Sequence, residues 1–116
     1  MELNDTYKKA LYVSQILKSI FKEKISSSQI YDVVHEKNHY EFKLKFVAYN
    51  YFVVIFQYEL DIIGCSIVCG DGSAISLMNG KHCFSDENLN ECFEEIRKNI
   101  ELRIPDKYLL AYGWLN

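Results

Sequence analysis

Tyr40-Glu41-Phe42-Lys43-Leu44-Lys45-Phe46-Val47-Ala48-Tyr49 decides the fold. Tyr40, Phe42, Leu44, Phe46 and Ala48 recur at every second position, with Glu41, Lys43 and Lys45 between them. Successive side chains of an extended chain point to opposite faces, so this alternation predicts a strand with one face buried and one wet. Asn50 separates it from a second run over 51–58, and an antiparallel hairpin is the economical connection, its turn type not declared by the residues. In the second run Val53 and Ile55 alternate with Phe52, Val54 and Phe56. Both faces are apolar, which predicts a central strand covered on both sides.

Working outward, residues 62–69 form another apolar run ended by Gly70-Asp71-Gly72, whose glycines permit the positive φ of a tight turn. A second hairpin to 74–78 follows. Asn79-Gly80 is a two-residue turn signal that would fold 81–84 back as a short edge strand. Upstream, 29–35 is a further strand candidate, the least marked of the five.

Helices flank the strands. From Asn4 or Asp5 as N-cap, Ala10, Val13, Leu17, Ile20 and Phe21 recur at three- and four-residue spacing, with Lys8, Gln15, Ser19 and Lys22 opposite. Ser26-Ser27-Ser28 ends that helix. Ser85 caps a second one, with Asp86 and Glu87 in its first turn and Leu89, Cys92, Phe93, Ile96 and Ile100 inward, and Pro105 stops it near Ile104. The tail carries Tyr108, Leu109, Leu110, Tyr112 and Trp114, which is too apolar to be left loose. It is packed either as a short helix or as an extended segment. The expected class is therefore α+β: an N-terminal helix, about five mainly antiparallel strands and a C-terminal helix packed on the sheet, in one domain over 1–116.

At 116 residues, with 49% apolar and 25% charged positions, the chain has the size and composition of a single folding unit rather than a disordered or repetitive one. Thirteen basic against sixteen acidic residues give a net charge of −3, which offers no electrostatic reason to approach nucleic acid or anionic lipid. The longest uncharged stretch, 46–58, contains Asn50 and Gln57 and is too short to span a bilayer. Charged residues among the first twenty exclude the apolar core of a secretory signal, so the expected location is the cytoplasm. There Cys65, Cys69, Cys83 and Cys92 stay as thiols.

No catalytic or metal-ligating motif is read from the spacing, and no cofactor is expected. Cys65 and Cys69 stand four apart on a strand, about 13 Å, too far for two ligands of one zinc. His82 and Cys83 are adjacent on a strand and point to opposite faces, which does not make a nucleophile and base. His35 and His39 flank a Lys37-Asn38 turn as ordinary surface histidines. Gly70-Asp71-Gly72-Ser73 lacks the lysine and the following helix of a phosphate loop. Glu59 with Asp61, and Glu94 with Glu95, are carboxylate pairs whose default is solvation.

What remains is aromatic abundance: nine Tyr, seven Phe and one Trp. Tyr49 and Tyr51 flank a turn, and Glu59, Asp61 and Asp71 come from neighbouring loops. Tyrosine rimmed by carboxylates is the composition of a surface that docks a basic protein, the ring supplying area and the acids steering. The alternative is that these tyrosines cap the sheet edge. A short, acidic, aromatic-rich α+β domain without a catalytic motif resembles the small immunity proteins that bacteria encode beside contact-dependent and other polymorphic toxins. The resemblance implies a non-enzymatic function: binding a cognate toxin domain, often a nuclease, and occluding its active site or substrate surface. It assigns no residue. Two other readings are a secretion chaperone for an effector protein and a small hydrolase using Cys83 or His82.

Overall fold

Asn4 opens the first helix, α1 (Asp5–Phe21), by accepting a 2.7 Å hydrogen bond from the amide of Tyr7 through its side chain. The computed structural model describes residues 4–78, 82–83 and 86–114, with the backbone alone at 82, 83, 86 and 87. Ala10, Val13, Leu17 and Phe21 are the buried stripe of α1, and Ile20 packs half-buried beside them. The helix stops before the serine run, because Lys22 takes a left-handed φ of 55° and a single 3-10 turn follows.

Six strands follow among the described residues: β1 (Gln29–Glu36), β2 (His39–Ala48), β3 (Phe52–Glu59), β4 (Ile62–Val68), β5 (Ala74–Ser76) and β6 (His82–Cys83). All pairings are antiparallel and the first four strands are sequential neighbours, a meander. Two of its turns carry two successive residues of positive φ: Tyr49-Asn50 at 59° and 54°, in a three-residue loop where the Tyr51 amide donates to Ala48 O at 2.9 Å, and Leu60-Asp61 at 49° and 65°, a two-residue loop. This is the type I′ geometry whose twist matches the flanking strands, reached here without glycine. The register stacks Phe42 against Tyr58, Leu44 against Phe56 and Phe46 against Val54. It continues to Ile63, Cys65 and Ile67 of β4, so one face of the sheet is uniformly apolar and buried.

Helix α2 (Asp86–Glu101) lays Leu89, Cys92, Phe93, Ile96 and Ile100 on that face, every one buried as its spacing predicts. Phe93 meets Phe56 of β3 at 5.3 Å between ring centroids, while α1 covers β1 and β2. Pro105 stands at the N-cap of a third helix, α3 (Asp106–Ala111), so the tail is a short helix rather than an extended segment. The α+β architecture of an N-terminal helix, antiparallel sheet and C-terminal helix is present.

Two strand expectations are corrected. Strand β3 is central but covered on one face only: Val53 and Ile55 are half-buried, and Gln57 and Glu59 on the same side are exposed. Every helix that contacts the sheet packs on the opposite face, and what makes β3 apolar on both sides is the cross-strand contact of Val53 with Val47 and Val68. The edge strand β6 does not fold back on β5. Both pair with β4, β5 with 66–68 and β6 with 62–63. The Leu77 amide donates to Cys65 O at 2.9 Å, extending the β5 ladder along the same edge. They are two pieces of one interrupted strand position, while the Asn79-Gly80 turn signal and the Ser85 cap lie outside the described residues.

Among the described residues no helix is long and apolar enough to cross a membrane.

Candidate functional site

Tyr49 occupies the first position of the β2–β3 turn, and its left-handed backbone turns the side chain inward. The ring is fully buried, 6.4 Å edge-on from Phe21 and 5.3 Å edge-on from Trp114. Its hydroxyl donates to the Glu101 carboxylate, which Arg97 also contacts at 3.3 Å while gripping Glu94 at 2.7 Å. This corrects the expectation that Tyr49 faces a partner, since a side chain with no accessible surface is an anchor of the core.

Above this anchor the turn is stapled by the tail. The Tyr108 hydroxyl donates to the carbonyls of Tyr49 at 2.9 Å and Asn50 at 3.2 Å, satisfying turn oxygens that the ladder leaves open. Its ring lies 5.0 Å edge-on from Tyr51 and 4.8 Å from Tyr112, one helical turn further on. Tyr112 stacks at 4.7 Å and 13° on Trp114, which returns to Tyr49. The reversal that brings Trp114 back is a Schellman motif: Gly113 has a φ of 72°, its amide donates to Leu110 O and the Trp114 amide to Leu109 O. Five rings from two segments about sixty residues apart thus run in contact from Tyr51 through Tyr108, Tyr112 and Trp114 to Tyr49, a chain closed by the Tyr108 hydroxyl on the Tyr49 carbonyl, with Phe52 attached at 4.7 Å from Tyr51. The outer members remain accessible, Tyr51 at 43% and Tyr112 at 50%.

The carboxylates of the sequence reading divide between the two ends of the sheet. Asp71 sits in the β4–β5 turn, at the same end as Tyr51, and accepts from the amide and hydroxyl of Ser73. Those bonds hold its carboxyl below the usual range. Glu59 and Asp61 lie at the other end of β3 from Tyr51, a strand whose seven steps from Phe52 to Glu59 span about 23 Å. Tyr49, Tyr51, Glu59, Asp61 and Asp71 therefore do not share the single surface expected of them: Tyr49 is buried, and Tyr51 and Asp71 lie at one end with Glu59 and Asp61 at the other, because consecutive hairpins of a meander alternate ends. At the far end Tyr58 donates to Asp61 at 2.7 Å and Lys9 contacts Tyr58 at 3.1 Å, beside a cleft of about 330 Å³ where Thr6 and His35 pair at 2.8 Å. These groups satisfy one another and close the seam between α1 and the sheet.

The thiols divide by burial. Cys65 is fully enclosed and its pKa is pushed up by the loss of solvation, Cys92 is raised for the same reason, and Cys69 is half-buried. The side chains of His82 and Cys83 lie outside the described residues. Burial first, then the hydrogen bond to Glu101, pushes the Tyr49 phenol well above its ordinary range, and Tyr58 is raised by burial and by Asp61.

The sign of the resulting pH dependence follows. Above about pH 8.5 for thiols and about pH 10 for phenols the unfolded chain releases protons that the folded chain keeps, so stability falls as pH rises and is unaffected by these groups below. Urea midpoints at pH 7, 9, 10 and 11 should decline from pH 9 upward, and Tyr49→Phe should flatten the segment between pH 10 and 11. Parallel declines in both proteins would show that Tyr49 does not couple to folding in this way.

Comparison with protein-family models, with curated proteins and with solved structures finds no match to the chain.

Proposed function

We propose that the chain is an immunity-type protein that binds a cognate toxin domain in the cytoplasm and neutralises it by occlusion, without chemistry of its own. The observation that supports this reading is the chain of aromatic rings fastened to the β2–β3 turn. Tyr and Trp dominate binding hot spots because they offer large area with few torsions to freeze. Here Tyr51 and Tyr112 are already held by Tyr108, Trp114 and the buried Tyr49, so little side-chain entropy is lost on association.

Charge is secondary at this end. Asp71 and Asp106 offer carboxylates, but Arg103 and Lys107 lie on the same connection and helix and offset them. Exposed pairs of this kind are worth about 0–1 kcal/mol each, whereas a central aromatic anchor is worth about 2–4 kcal/mol. Area therefore sets the affinity, and charge sets the encounter rate.

The test is to co-express the chain with the polypeptide encoded by the immediately neighbouring gene. The expected result is restored growth together with a one-to-one complex in sedimentation. A toxic neighbour that the chain neither binds nor relieves, or a homodimer that captures only unfolded segments, contradicts the reading; the second outcome is that of a secretion chaperone.

A further inference from the structure

On the face of the sheet that no helix covers, antiparallel register places Glu41 directly opposite Glu59, and His39 lies two residues before Glu41 on the same side. One ligand atom from each of the three falls within 4.8 Å of the other two, and His39 Nε2 stands 3.2 Å from a Glu41 oxygen. We propose that His39, Glu41 and Glu59 form a binding site for a borderline divalent transition ion such as Co²⁺, Ni²⁺ or Zn²⁺.

Three observations carry this. The first is spacing: two atoms each about 2.1 Å from one ion, at tetrahedral or octahedral angles, stand about 3.0–3.4 Å apart, which the His39–Glu41 separation already meets. The remaining gap is closed by Glu59, an exposed side chain with rotamers to spare. The second is electrostatic. Two carboxylates directly opposite on neighbouring strands repel each other, an arrangement that destabilises a sheet unless a cation lies between them. Lys43 stands 3.8 Å from Glu41 but is drawn more closely to Asp32 at 3.3 Å, and it makes no ion pair with Glu59. Asp32 reaches Lys43 from an irregularity in β1, where its φ of 50° interrupts the pairing between Tyr31 and Val34.

The third is the donor set. One imidazole and two carboxylates suit first-row transition ions, whereas Ca²⁺ and Mg²⁺ favour oxygen alone. Three protein donors on a rigid sheet leave further positions to water. The site lies about 23 Å from the aromatic end, so it is independent of the docking surface proposed above.

The experiment is titration of the full chain, free of any polyhistidine tag, with Co²⁺, Ni²⁺ and Zn²⁺, read by calorimetry, by cobalt visible absorption and by melting temperature. One-to-one binding with cobalt bands free of thiolate charge transfer is expected, with affinity reduced about tenfold or more in Glu59→Gln and in His39→Gln. Because Glu59 is exposed, Glu59→Gln should fold, and with the facing charges relieved its metal-free form should melt above the wild type while losing the rise that metal gives. Absence of saturable binding, binding unchanged in Glu59→Gln, or a thiolate-to-cobalt band assigning the ion to cysteine overturns the proposal.

Discussion

Phe56→Ala is expected to cost about 3–5 kcal/mol of folding free energy, the range for deleting a fully buried phenyl ring and leaving a cavity. Phe56 is the residue where the two layers meet. It has no accessible surface, lies on the central strand β3, and contacts Phe42 of β2 at 6.3 Å and Phe93 of α2 at 5.3 Å between ring centroids. Neither neighbour can fill the space without leaving its own strand or helix position. Against a total stability of about 5–15 kcal/mol this removes a large share, visible as a melting temperature lower by about 10–20 °C. Ile55, the next residue, points to the uncovered face and is only half-buried. Ile55→Ala should cost about 1 kcal/mol, near the centre of ordinary point mutants. Urea denaturation of both variants checks the pair, and equal losses would mean that the second face is covered as well.

The second large effect concerns association. Truncating Tyr51 and Tyr112 together should weaken binding to the proposed toxin partner by about 2–4 kcal/mol, roughly 30- to 1,000-fold in Kd, with the rise almost entirely in the dissociation rate. Stability should change far less, because both side chains are about half exposed and neither joins the main core. Trp114 and Tyr108 are less clean targets: Trp114 packs on Tyr49, and the Tyr108 hydroxyl holds the turn carbonyls, so their loss would disturb the surface and its support together. Surface plasmon resonance with the double variant, alongside its urea midpoint, separates the two contributions. An unchanged Kd would move the interface elsewhere.

Local physics made much of the fold legible. Period-two alternation over 40–48 and the three-four spacing of Leu89, Phe93, Ile96 and Ile100 each report one face of one element, and each face is buried as read except at Tyr40, which the start of its strand leaves exposed. Contacts between distant segments were not legible in the same way. Tyr49 reads as an exposed turn residue because turns lie on surfaces, yet it is buried by Phe21 and by a tail 65 residues further on. The separation of Glu59 and Asp61 from Tyr51 was available in principle, since strands of eight residues joined by tight turns must send successive turns to opposite ends. The tail also carried signals. Tyr108 and Tyr112 stand four apart, and Gly113 before Trp114 marks a helix end at which the chain turns back. His39-x-Glu41 alone is an ordinary strand spacing that carries no ligand signal, and Glu59 joins it only through the β2–β3 register.

The most direct test of toxin binding through the aromatic end is amide hydrogen exchange of the chain alone and in complex with the neighbouring gene's product. The expected footprint is slowed exchange over the 49–52 turn and over 106–114, with the 59–62 turn at the opposite end unchanged. Protection confined to 59–62, or spread over the uncovered face of β2 and β3 without the 106–114 segment, would contradict it.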